Sequence, residues 1–130
     1  MGKIMKRGIS YSGGGSGSSH TYSTSEQLIG KWIDGKDLYE TTIVQTSGFS
    51  TSYSLPHGIA DIDEIVKVDG LFQSGNGNYW YPINDNNPTS GYNACVTDIG
   101  KTSVWVYIGG SKISSIGKLT LTLRYTKSSS

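Results

Sequence analysis

The sequence predicts an all-β fold: a small antiparallel β-sandwich, jelly-roll-like, with an extended Gly/Ser-rich N-terminal arm. Three observations carry this. Tyrosine outnumbers phenylalanine nine to two, and Val, Ile and Thr recur in short runs, the residue choice of strands rather than helices. Turn residues punctuate the chain at intervals of roughly 8 to 12 residues, the rhythm of short sandwich strands. The last apolar run alternates strictly. Leu119, Leu121, Leu123 and Tyr125 fall on one face and Lys118, Thr120, Thr122, Arg124 and Thr126 on the other, as a strand with one dry side requires. A chain of 130 residues is one domain's worth, and its hydrophobic share of 35% demands an economical core.

Residues 1–21 read as the arm. From Ser10 to Ser19 the chain runs Ser-Tyr-Ser-Gly-Gly-Gly-Ser-Gly-Ser-Ser, which has almost nothing to bury and great backbone freedom, so it serves as a tether or docking segment. The sandwich occupies 22–130. Ser23, Thr24, Ser25 and Glu26 have capping-box spacing, which predicts a brief helical turn through Gln27 and Leu28, ended by Gly30. Lys31-Trp32-Ile33 then meets Asp34-Gly35, a tight-turn signal, before a strand over 38–45, so a hairpin is expected. A β-rich segment over 49–55 leads to a turn at Pro56-His57-Gly58. The strand over 63–68 closes on Asp69-Gly70, from which 71–73 returns as a second hairpin. A turn over 74–78 precedes the aromatic strand 79–83, which Pro82 assigns to an edge or an end. Residues 85–90 form a loop. Strands over 92–97 and 102–108 pair across 98–101, and a Gly/Ser-rich connection leads to the final strand, 118–127.

Charge and cysteine content narrow the function classes. The net charge is +1, with Lys and Arg scattered, so no electrostatic stripe for nucleic acid is present. The single basic cluster, Lys3, Lys6 and Arg7, reads as a solvated end. Cys95 is the sole cysteine, which excludes an internal disulfide and fits synthesis in a reducing compartment. No apolar run is long enough for a signal peptide or a membrane span, so no membrane insertion is expected.

Catalytic and metal chemistry find little support. Asp61, Asp63 and Glu64 are the densest acidic group, but a solvated edge strand uses the same residues to resist aggregation. His20 and His57 lie far apart, Cys95 has no neighbouring ligand, and no nucleophile elbow or His-Glu-x-x-His occurs. No cofactor, no metal and no enzymatic activity are expected. The aromatic set is more suggestive. Tyr79, Trp80 and Tyr81 sit beside Asn76, Asn78 and the Asp85-Asn86-Asn87 loop, and ring faces next to amides and carboxylates are the components of a sugar-binding groove. The candidate ligand set is therefore Asn78, Tyr79, Trp80, Tyr81 and Asp85. Against it stands the commoner fate of aromatics, burial in a core or a subunit interface, which the expectation favours. Trp105 and Tyr107 are expected in core or interface.

The stretch Tyr22-Ser23-Thr24-Ser25-Glu26-Gln27-Leu28-Ile29-Gly30-Lys31-Trp32-Ile33-Asp34-Gly35-Lys36-Asp37-Leu38-Tyr39 resembles the opening of small β-sandwich modules at the C-terminal ends of bacteriophage head fibres, tail fibres and related virion proteins. Their signature runs Tyr-Ser-Thr, Glu, Gly-x-Trp-x-Asp-Gly-Lys, then Tyr, and closes on a strand like Leu123-Arg124-Tyr125-Thr126-Lys127. Here it falls on Ser23, Glu26, Trp32, Asp34, Gly35 and Tyr39. The close match covers about a fifth of the chain. Residues 48–117 resemble the family only in strand and turn rhythm, and Asp37 stands where proline is common.

The resemblance implies a virion structural protein, made in the host cytoplasm. It would be a homotrimer docked on other virion proteins and displayed for host-surface attachment, with no catalytic residues to carry over. Read physically, the signature is structural: Gly35 permits the positive φ of a two-residue turn, Trp32 and Tyr39 flank that turn and pack, and Glu26 closes the cap on Ser23. A reading of a different class is a free-standing carbohydrate-binding module for a cell-surface glycan, monomeric and with Trp80 exposed.

Overall fold

A computed structural model describes residues 20–85 and 93–128. These form nine strands: β1 (Gln27–Lys31), β2 (Asp37–Gln45), β3 (Ser52–Pro56), β4 (Ile62–Ser74), β5 (Trp80–Pro82), β6 (Asn84–Asp85), β7 (Ala94–Ile99), β8 (Ser103–Ile108) and β9 (Ile116–Lys127), with one short 3-10 turn before β9. The anchoring role expected of 1–19, the basic cluster at 3–7 and most of the 85–90 loop lie outside the described residues.

The predicted alternation of the last strand organises the fold. Leu119, Leu121, Leu123 and Tyr125 on β9 are fully buried, and β9 sits at the centre of a five-stranded antiparallel sheet ordered β1-β2-β9-β4-β5. The second sheet, β3-β8-β7-β6, presents Val104, Val106 and Ile108 of β8 and Ala94 of β7 to the same core. The fold is thus an all-β sandwich. Its early strands pair with its late ones, β2 with β9 and β3 with β8, so the chain folds back on itself in the jelly-roll manner.

The first hairpin is present with a longer loop than the two-residue turn expected. Trp32 N donates to Lys36 O at 2.8 Å and Gly35 N to Trp32 O at 2.9 Å. Residues 33–35 therefore form the loop, with Gly35 at φ +89° as the left-handed residue that closes a three-residue connection. Asp34 Oδ1 accepts from Lys36 N at 2.9 Å. No helical turn forms at 23–28. Residues Gln27–Lys31 pair instead with the open edge of β2, which satisfies their backbone groups more fully than an isolated helical turn, whose nucleation is unfavourable. Ser23 Oγ accepts from Ser25 N at 3.0 Å, a local turn and not a cap.

Glu26, expected to close that cap, points elsewhere. Tyr125 donates to Glu26 Oε2 at 2.6 Å, and Lys127 Nζ lies 2.9 Å from Oε1. Thr41 Oγ1 reaches the same tyrosine oxygen at 2.8 Å, and Tyr39 stacks on the Tyr125 ring at 6.1 Å. Signature residues at the two ends of the chain thus lock β1, β2 and β9 together. Burial disfavours the Glu26 charge, but the Tyr125 and Lys127 hydrogen bonds outweigh it and hold its pKa below the ordinary 4.5. A depressed carboxylate stabilises the fold above its unfolded pKa, and the gain is lost as pH falls through the folded value. Thermal melts below pH 4.5 are expected to show falling stability in the native chain and a shallower fall in Glu26→Gln.

The second expected hairpin does not exist. Asp69-Gly70 lies inside β4, a continuous strand of 13 residues that pairs with β9 along its length. Gly70 is there for proximity: a Cβ at this position would stand 2.4 Å from the Thr120 carbonyl oxygen. β5 covers β4 only over 71–73, so the Asp63–Glu64 end of β4 is an exposed edge as expected; Asp61 precedes it at φ +59°, and Asp63 pairs with Lys36 of the first hairpin.

Candidate functional site

The aromatic triplet is split by the strand that carries it. β5 is an edge strand whose register places Tyr81 opposite Phe72 and Trp80 opposite Gln73. Phe72 is core, so Tyr81 faces inward, half-buried, with the Lys112 ammonium 3.6 Å above its ring. Trp80 points out of the opposite face and is 58% exposed. Tyr79 and Tyr81 line a cleft of about 390 Å³ together with Asn76, Ser114 and Ser115. Trp80 lines a different groove, of about 480 Å³, with Asp69, Leu71, Gln73, Lys118 and Thr120. Asn78 is in neither: its backbone N–H is turned to Asn76 Oδ1 at 2.9 Å, and it helps shape the 74–78 turn. Asp85 belongs to β6 in the other sheet, opposite Ala94. The set Asn78, Tyr79, Trp80, Tyr81 and Asp85 is therefore not one constellation.

The Trp80 groove extends further than the sequence suggested. A neighbouring hollow of about 360 Å³ shares Asp69, Gly70 and Thr120 with it and adds Thr42, Thr122 and Tyr22. The two form one depression across the outer face of the five-stranded sheet, from Trp80 on β5 over β4 and β9 to Tyr22 above β2. Gln73, Lys118 and Tyr22 were not singled out from the sequence. The first two become legible once 62–74 is read as a single strand beside β9, because Lys67, Asp69, Leu71 and Gln73 then alternate onto one face.

Tyr22 is placed by a charged anchor at the root of the arm. Glu40 on β2 is 0% exposed although it faces outward. Its cross-strand partner Arg124 donates Nε–H to Oε2 at 2.8 Å, and His20 Nε2 lies 2.7 Å from Oε1. The His20 ring meets Tyr22 edge-on at 4.6 Å, and Thr42 N donates to Ser23 O at 2.9 Å. Residues 20–23 thus lie over this end of the sheet and shield Glu40 and Thr42.

The opposite outer face differs in kind. Strand pairing puts Ser52, Ser54 and Pro56 of β3 beside Tyr107, Trp105 and Ser103 of β8. None of these six is charged, while on the other side of β8 the exposed Asp98 of β7 stands opposite Trp105. Trp105, expected in core or interface, is not in this chain's core: it faces out and is 49% exposed.

Comparison with known proteins returns no match. No family model, no curated relative and no solved structure is similar to the chain.

The remaining candidate groups are engaged in structure. His57 Nε2 bonds to Gly100 O at 2.8 Å while Nδ1 accepts from Ile59 N at 3.1 Å, clamping the 56–58 turn to the β7–β8 connection. Cys95 is half-buried, and burial raises its thiol pKa, which opposes thiolate formation. Among the described residues no group of three or more His, Cys, Asp or Glu is placed to hold a metal ion. No helix among them is long and apolar enough to cross a membrane. The two outer faces, one grooved, the other carrying exposed Trp105 beside Asp98, are the features available for recognition.

Proposed function

We propose that this chain is a non-enzymatic structural and attachment module of a bacteriophage virion. Residues 1–21 dock it on other virion proteins, and the sandwich assembles as a homotrimer displayed at the particle surface. The observation that carries the reading is the face of β3 and β8. On this face Trp105 and Tyr107 stand beside serines and a proline on the β3 side, with Asp98 of β7 opposite Trp105 as the charged neighbour. Exposed aromatics of this kind are enriched at interface cores. Three such faces packed around a common axis remove the aromatics from water and leave the grooved faces outward. The resemblance of residues 22–39 to virion fibre modules supports the same reading.

Light scattering of the full-length chain is expected to give three times the 14.0 kDa chain mass. A chain lacking 1–19 is expected to give the trimer of the shortened chain, since the arm is the tether and not the assembly element. Trp105→Asp is expected to yield a folded monomer, because it removes the central aromatic and sets a second carboxylate beside Asp98. A native chain that is monomeric at working concentration overturns the homotrimer.

A further inference from the structure

We propose that the outer face of the five-stranded sheet binds a neutral oligosaccharide laid along the groove from Trp80 to Tyr22. This rests on the reading of the chain as a surface-attachment module and names its ligand class. Size comes first: the two joined hollows, about 480 and 360 Å³, each fall in the range of small-molecule sites. They span β5, β4, β9 and β2, and with strands about 4.8 Å apart the outer two lie about 14 Å from each other. That matches a short saccharide chain better than a single sugar.

The lining chemistry selects the class. Trp80 and Tyr22, 58% and 61% exposed, offer broad apolar rings at opposite ends, where the C–H faces of pyranose rings can stack. Between them Asp69 supplies acceptors, Lys118 donors, and Gln73 and Thr120 both, which is what sugar hydroxyls require. The two charged lining residues, Asp69 and Lys118, are opposite in sign, and Lys67 at the rim lies 3.8 Å from Asp69, so the groove carries no strong field of one sign that would select a polyanion or a polycation. A second copy of the chain is the weaker occupant, because Lys and Asp are depleted from protein interface cores and here they hold the middle. Tyr22 is pre-positioned by the His20 ring and by the Thr42–Ser23 hydrogen bond, which lowers the ordering cost of binding.

The test is calorimetric titration of the full-length chain with defined hexasaccharides: β-1,4-linked glucose, β-1,4-linked N-acetylglucosamine, β-1,3-linked glucose and α-1,6-linked mannose. At least one is expected to bind saturably and more tightly than its disaccharide. Trp80→Ala and Tyr22→Ala should each weaken it by about tenfold or more, the size of an interface hot spot, while Tyr79→Ala, in the separate cleft, should leave it unchanged. Both target side chains are exposed, so the variants keep the native melt. Binding of none of the four, or binding sensitive to Tyr79→Ala but to neither groove substitution, overturns the proposal. Light scattering of the same samples separates the two readings. A trimer that binds no sugar removes the groove and keeps the assembly, and a sugar-binding monomer does the reverse.

Discussion

Arg124→Met is expected to lower the unfolding free energy by up to about 3 kcal/mol, the lower end of the cost of stripping one partner from a buried ion pair, because Glu40 is fully buried while Arg124 is 29% exposed. The reason is the state of Glu40. Its carboxylate is shut off from solvent beneath the root of the arm, and Arg124 supplies the hydrogen bond to Oε2 while His20 covers Oε1. Methionine keeps most of the arginine's apolar stem and removes only the guanidinium, so the loss reports an uncompensated charge rather than missing packing. The double substitution Glu40→Leu/Arg124→Met should recover most of the deficit, because an apolar pair of similar volume carries no desolvation penalty. Urea denaturation of the four proteins of this cycle measures the coupling. If the single substitution costs less than about 1 kcal/mol, Glu40 is in contact with water and residues 20–23 do not lie over it.

This anchor also shows where sequence reading stops. The β9 alternation was legible because it uses one rule, period two with apolar residues inward, and its four inward residues are fully buried. The β7–β8 hairpin was legible because a turn signal sits between two β-rich runs, and, although most of β1 reads as a helical turn, the Asp34-Gly35 turn and β2 of the first hairpin were legible too. Glu40 and Arg124 were not, because on the outer face of a sheet both read as ordinary solvated charges. Only the return of residues 20–23 over that face, a contact between segments far apart in sequence, buries the carboxylate of Glu40 against Arg124. The failed helix at 23–28 has a similar origin. Ser23 and Glu26 satisfy a local capping pattern, but Glu26 gains more from Tyr125 and Lys127, about a hundred residues away, than from a helical turn with no neighbours.

The candidate site divides along the same line. The edge position of the strand and the placing of Trp80 opposite in face to Tyr79 and Tyr81 were legible from Pro82 and alternation, but the exposure of Trp80 was not, since burial was the favoured expectation. Grouping it with Tyr79, Tyr81, Asn78 and Asp85 used proximity in sequence, whereas a strand sends neighbours to opposite sides. The true neighbours of Trp80 come from β4 and β9, and β4 was hidden by the reading of Asp69-Gly70 as a turn.

Gly70 supplies the second large effect. In a hairpin turn with positive φ, glycine is replaced at a modest cost. In the continuous β4 it sits where a Cβ would meet the Thr120 carbonyl oxygen at 2.4 Å and Leu121 Cα at 3.1 Å, both backbone atoms, with Ile83 Cγ2 also at 3.1 Å. None of these can swing aside as the end of a long side chain would. Gly70→Ala must therefore push β4 away from β9 along the longest pairing in the molecule or force β6 outward through Ile83. Overpacking of this kind costs about 1–3 kcal/mol where side chains can yield, and a backbone obstacle places this case at or above the upper end. Denaturant unfolding of Gly70→Ala should show a loss of about 3 kcal/mol. The same variant tests the groove, because Gly70 lies in the floor shared by its two halves. Displacement of β4 from β9 alters the spacing between Trp80 and Tyr22, so residual folded Gly70→Ala is expected to bind the hexasaccharide more weakly than the native chain. A variant as stable as the native protein would mean that the chain turns at Asp69-Gly70 after all, and the groove would lose its floor.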